Sequence, residues 1–129
     1  MILDTSFLID LMKNKQAALT KAQSLEYASF PVRTTTITVF ELWQGLEDLQ
    51  DEQKRTTLEH FLSGIGLLGF DLESAKQAGK IHAELRRKGE IIDAEDSMIA
   101  GIAQQHNEAV LTRNVKHFER IRGLKIEKY

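Results

Sequence analysis

Cysteine is absent from this 129-residue chain, and proline occurs once, at Pro31. The first absence excludes a disulfide framework, a thiolate nucleophile and cysteine-ligated zinc, and it suits a reducing, cytoplasmic setting. A lone proline leaves no proline-rich linker, and neither a low-complexity tract nor a repeat at solenoid spacing is present. An excess of one charge is also lacking. The 17 Lys and Arg face 19 Asp and Glu, a formal charge of -2, so nucleic-acid binding must come from local patches. Long apolar runs are missing too. The opening MILDTSFLID has no basic n-region and is interrupted by Asp4, which argues against an export signal. Charges recur too often for the roughly 20 apolar residues of a membrane span, so a soluble protein with no membrane association is expected.

What is present is a 42% apolar composition, enough for one core in a chain too short for two ordinary domains, so residues 1–129 read as a single domain. Met1 to Leu3 is a short apolar run, and Phe7, Leu8, Leu11 and Met12 then recur at helical spacing: strand, turn, helix. Residues 15 to 28 read as a helix and the β-branched stretch Thr34 to Ile37 as a strand. Val39, Phe40, Trp43 and Leu46 mark a helix starting near Thr38. Leu58, Phe61, Leu62 and Ile65 mark another, and the two predict a helical hairpin. Gly64, Gly66 and Gly69 bracket a strand at Leu67 to Phe70, and Gly89 stops a helix running from Ser74 to Lys88. A helix from Ala94 to His106, a buried strand from Ala109 to Leu111, and a final turn and strand through Phe118 to Ile126 complete the chain. Short apolar strands alternating with amphipathic helices predict an α/β fold. The expected form is a three-layer α/β/α sandwich around a central, mostly parallel sheet of four to five short strands.

In such a fold the functional crevice lies at the carboxyl ends of the strands. Asp4 directly follows the first strand, and Asn114 follows Ala109 to Leu111 after Thr112 and Arg113. Glu41 and Asp96 each fall near the start of a largely apolar helix, where the helix dipole alone could account for an acid. The set is more telling than its members: three acids and an amide at strand ends and helix starts, with no lysine immediately beside any of them. Carboxylates gathered at one edge repel one another unless hard divalent cations supply the missing charge, and an all-oxygen set suits magnesium or manganese. Such a cation activates water and stabilises a leaving oxygen in phosphodiester hydrolysis.

These residues, taken in order, resemble the PIN domains, in particular the VapC toxins of prokaryotic toxin-antitoxin operons, over nearly the whole chain. Ile2-Leu3-Asp4-Thr5-Ser6 is similar to that family's first strand with its aspartate and supporting hydroxyl. Thr36-Ile37-Thr38-Val39-Phe40-Glu41-Leu42 is similar to its hydroxyl-rich strand leading into a helix with a glutamate, and Gly45 fits the small residue that follows. In Ile92-Asp93-Ala94-Glu95-Asp96-Ser97-Met98-Ile99-Ala100, Asp96 matches better than Asp93 or Glu95. Leu111 to Phe118, followed by Ile121, Gly123 and Leu124, resembles the closing segment. The resemblance implies a metal-dependent endoribonuclease with Asp4, Glu41 and Asp96 as metal ligands and Asn114 assisting. It implies transfer or ribosomal RNA as substrate, a VapB-like antitoxin lying across the site, and a homodimer or toxin-antitoxin assembly. The chain departs from a four-acid pattern at Asn114 and His117, which predicts one tight and one weak metal position.

Ser6 and Thr112 are expected to orient the carboxylates, with Thr5 and Thr36 weaker candidates whose placement also fits capping and strand propensity. Arg113 and Lys116, with Arg120 and Arg122 nearby, read as RNA phosphate contacts, whereas Arg86, Arg87 and Lys88 equally suit a helix C-terminus. His60, His82, His106 and His117 lack metal-ligand spacing and read as surface or structural, His117 being the one candidate exception. Trp43, Leu46, Leu49, Leu58, Phe61 and Leu62 read as core, or as a partner surface if the hairpin is exposed. The alternative function is a catalytically weak PIN-like module that binds RNA or antitoxin. An aspartyl phosphatase is disfavoured because Ser6 stands where a second aspartate is needed.

Overall fold

The computed structural model describes residues 1–129. Five short strands form one sheet in the order β3-β2-β1-β4-β5, and every pairing is parallel. They are β1 (Ile2–Leu3), β2 (Arg33–Thr35), β3 (Gly66–Leu68), β4 (Ala109–Leu111) and β5 (Lys125–Glu127). Between them run α1 (Thr5–Met12), α2 (Gln16–Tyr27), α3 (Thr36–Leu49), α4 (Glu52–Ser63), α5 (Leu72–Arg87), α6 (Ala94–Gln105) and α7 (Val115–Phe118). No helix is long and apolar enough to cross a membrane.

Alternation along the central strands sorts the core into two layers. Ile2 and Val110 face a cluster with Ile81, Leu85, Ile99, Ile102 and Phe118 from α5, α6 and α7. Their neighbours Leu3 and Leu111 face the opposite cluster, with Phe7, Leu8, Ala18, Leu42, Leu46 and Leu58 from α1 to α4. The three-layer α/β/α sandwich is therefore present, with a sheet that is wholly parallel.

Several boundaries differ from expectation, and side-chain caps explain two of them. β2 ends at Thr35 rather than running to Ile37, because the Thr35 hydroxyl accepts the Thr38 N–H at 3.0 Å and turns the chain into α3 at Thr36. Capping overrides the β-branched run. Likewise Asp71 accepts the Ser74 N–H at 2.9 Å and starts α5 at Leu72, shortening the strand expected at Leu67 to Phe70. The closing segment forms the helical turn α7 first, and its strand comes later, at Lys125–Glu127. In the α3–α4 hairpin Leu46 and Leu58 are core, while Leu49 is exposed.

α5 and α6 pack with their backbones close together. A Cβ built on Gly101 of α6 would stand 2.6 Å from the Ser74 carbonyl oxygen and 2.7 Å from the Ala78 nitrogen. Only glycine fits at that crossing.

Candidate active site

Parallel pairing of β1 with β4 sets Leu3 opposite Leu111, and the Asp4 N–H continues the ladder to the Leu111 carbonyl at 3.0 Å. Asp4 and Thr112 therefore leave the sheet side by side. Asp4 is buried, and its Oδ2 accepts from the Ser6 hydroxyl at 2.7 Å, the Thr112 hydroxyl at 2.7 Å and the Ser6 N–H at 3.4 Å. Each hydroxyl has one proton to give. Their lone pairs are occupied from behind, since Ser6 Oγ accepts the Arg113 N–H at 3.1 Å and Thr112 Oγ1 accepts the Asn114 N–H at 2.9 Å. The backbone thus aims both hydroxyl protons at one oxygen of Asp4, and Oδ1 receives no hydrogen bond.

Glu41 comes from α3 and is half-buried; the Thr5 hydroxyl donates to its Oε1 at 2.6 Å. Burial pushes the Glu41 carboxyl above the usual range, the Thr5 bond opposes this, and the fields of Asp4, Asp96 and Glu95 add to the rise. Asp96, in the first turn of α6, is raised chiefly by burial. The His117 hydrogen bond opposes that rise, while Asp4 and Asp93 reinforce it. His117 Nδ1 stands 2.9 Å from Asp96 Oδ2; because a carboxylate only accepts, Nδ1 carries the proton. Asp4, Glu41 and Asp96, from three separate elements, are thus close enough for their charges to act on one another.

The tightest set of potential ligand atoms is a different triple, Asp93, Asp96 and His117, all within 4.8 Å of one another. In the sequence Asp93 is set aside and His117 stands out only as the one exception among the histidines, without a partner. The signal for His117 was its place one turn beyond Asn114, where it reaches Asp96 across the fold. Asn114 itself is half-buried, and its side chain makes no hydrogen bond to the acids.

A divalent cation fits this chemistry. No lysine or arginine pairs with Asp4, Glu41 or Asp96, the sole ion-pair partner in the set being His117. Arg113, read as a phosphate contact, is instead held by the buried Asp10: its Nη1 donates to both carboxylate oxygens, at 2.6 and 2.8 Å. Tyr129 completes that cluster, its hydroxyl donating to Asp10 Oδ2 at 3.0 Å and its ring meeting Phe7 edge-on at 4.9 Å. Lys116 is exposed and unpaired. Beside Glu41, Ile9, Met12, Leu46 and Leu49 line an apolar cleft of about 210 Å³.

Comparison with known proteins agrees with this architecture. The PIN domain family matches residues 1–124. The chain is 35% identical over 127 residues to a tRNA(fMet)-specific endonuclease VapC of Shigella flexneri, covering 98% of this chain and 95% of that protein. A "Ribonuclease VapC" of Rickettsia bellii is 35% identical over 130 residues, covering 98% and 93%. Among solved structures, VapBC2 from Rickettsia felis, bound to a DNA fragment from its promoter, superposes with a TM-score of 0.89 at 27% identity, covering 99% and 97% of the two chains. DNA-bound VapBC from Salmonella typhimurium gives 0.87 at 33% identity, covering 98% and 96%. With sequence, sheet order and acidic edge in agreement, the chain belongs to the PIN domain family, among its VapC-type members.

Proposed function

We propose that this protein is the toxin of a toxin-antitoxin pair, a metal-dependent endoribonuclease in which Asp4, Glu41 and Asp96 hold magnesium or manganese. The observation that carries this reading is the convergence of three carboxylates, one just after β1, one on α3 and one on α6, each uncompensated by Lys or Arg, with Asp4 locked by Ser6 and Thr112. When bound, the cation would lower the pKa of water and stabilise charge on the leaving oxygen of an RNA phosphodiester. The chain's own part is orientation: Ser6 and Thr112 fix one oxygen of Asp4, Thr5 fixes one of Glu41, and His117 fixes one of Asp96. Asn114 can add a neutral carbonyl ligand but no charge. With water as nucleophile, products carry 5′-phosphate and 3′-hydroxyl ends.

The named activity of the Shigella flexneri relative makes a transfer RNA the first substrate to test, with a ribosomal RNA loop second. The VapBC assemblies among the structural neighbours support a VapB-like antitoxin as partner, and the apolar cleft beside Glu41 offers it a seat next to the acids. We place the protein in the cytoplasm, as a single domain that forms a homodimer or a toxin-antitoxin complex.

The test is cleavage of total transfer and ribosomal RNA with magnesium, manganese or chelator, comparing wild type with Asp4→Ala and Asp96→Ala. Metal-dependent fragments that vanish in both variants are expected. Equal cleavage by the variants sinks the mechanism, and RNA or antitoxin binding without metal-dependent cleavage identifies a regulatory module instead.

A further inference from the structure

Away from the acids, one face of α5 and the segment between α7 and β5 enclose a cleft of about 370 Å³. Lys80 and Glu84 on that face of α5, and Lys88 at its C-cap, recur at four-residue spacing, and Arg120 and Arg122 stand across from them. The lining thus carries four cations against one acid, in a chain whose formal charge is -2. Lys80, Lys88 and Arg122 have no ion-pair partner. Arg120 lies 3.8 Å from Glu90, and its buried Nε makes no hydrogen bond.

The cleft is built firmly, and one end of it is tied to the segment that leads to Asp93. Gln77 donates to Gln104, and Gln104 donates to the Arg122 carbonyl at 2.8 Å, tying the far wall to α5 and α6. At the other end Arg120, three residues after His117, donates to the Ile91 carbonyl at 2.7 Å, two residues before Asp93. The floor is Ile81, Leu85 and Ile121, and no aromatic side chain lines it.

We propose that this cleft is an exosite for the sugar-phosphate backbone of the RNA substrate, holding the strand beyond the scissile bond. Unpaired lysine and arginine heads meet phosphates, and the Gln77 amide oxygen, which its bond to Gln104 leaves free, suits a ribose hydroxyl. No aromatic platform stands in the cleft, so backbone contacts that add affinity and register, rather than base stacking, are its expected contribution. The proposal rests on the nuclease reading for its substrate, and its binding test does not require turnover.

The experiment uses Lys80→Ala/Lys88→Ala/Arg122→Ala, which leaves Arg120 and the acids intact, in full-length protein with chelator present. Binding of full-length transfer RNA should weaken by roughly an order of magnitude, and the salt slope should fall by about two, at ~0.7 per phosphate for single strands. In the cleavage assay KM should rise on full-length RNA with kcat held, and a short oligonucleotide that spans only the scissile bond should be cut as by wild type. Unchanged affinity and slope overturn the exosite, as does a loss confined to promoter-type duplex DNA. Wild-type protein that binds RNA through these residues but never cuts it keeps the exosite and refutes the nuclease.

Discussion

Arg113 and Asp10 form a charge-assisted pair in which one guanidinium nitrogen donates to both carboxylate oxygens, at 2.6 and 2.8 Å. The pair joins α1 to the segment after β4, and the Arg113 backbone N–H simultaneously holds Ser6 Oγ, which holds Asp4. Asp10→Ala should therefore lower stability by about 2 kcal/mol, the loss of hydrogen bonds to a charged acceptor, discounted because Arg113 can turn to water. Arg113→Met should cost more, since it leaves the buried Asp10 carboxylate without its cation. Urea denaturation of both variants checks the order; a smaller loss for Arg113→Met would show that Asp10 does not depend on the guanidinium.

The His117–Asp96 contact leads to a prediction about metal affinity. A hydrogen bond behind a ligand fixes its orientation, and removing such a partner costs typically 10–100-fold in metal affinity or activity. His117→Ala should weaken manganese binding, measured by titration calorimetry, by roughly tenfold. His117→Asp, which adds a carboxylate to the set of Asp93 and Asp96, should recover or exceed wild-type affinity. Equal affinity in all three proteins would remove His117 from the site.

Two glycines of the α5–α6 pair should respond with opposite signs. At Gly101 a Cβ meets backbone atoms of Ser74 and Ala78 under 3.0 Å, and backbone cannot swing aside. Gly101→Ala should destabilise by about 1–3 kcal/mol, overpacking outweighing alanine's helix propensity of roughly 1 kcal/mol. Nothing lies within 4 Å of a Cβ at Gly79, in the interior of α5, so Gly79→Ala should gain about 0.5–1 kcal/mol. Thermal unfolding of the pair decides it, and stabilisation by Gly101→Ala would contradict the close crossing.

Sequence patterning revealed the layers and most of the acidic edge, because both depend on local signals. The period-two alternation at Ile2–Leu3 and Val110–Leu111 assigns strand faces, and a strand's last residue marks the edge where Asp4 emerges. Partnerships across the fold were not legible. His117 is 21 residues from Asp96, and Arg113 is 103 from Asp10, so no local pattern ties them. Asp10 did leave a trace, as an acid within the apolar run Phe7 to Met12 of α1, but which cation would answer it depends on β1 pairing with β4. The cationic cleft was legible only in part: Arg120 and Arg122 read as phosphate contacts and Lys88 as part of a run suited to a helix C-terminus, but only the folding of the chain after α7 sets them opposite Lys80.

Tyr129 supplies a prediction about alkaline pH. Partial burial and the hydrogen bond and charge of Asp10 push its phenol from 10.0 up to about 12, because ionisation would place a phenolate beside a carboxylate. A group whose folded pKa is raised binds its proton more tightly in the native state. Its contribution to stability is therefore complete below pH 10 and lost as pH rises through about 12. Tyr129→Phe keeps the edge-on contact with Phe7 but cannot ionise. Urea unfolding across this window should show wild type losing stability faster than Tyr129→Phe, so that their difference narrows as pH rises. Parallel curves would mean that the phenol titrates alike in the folded and unfolded chain, and that Asp10 does not hold it.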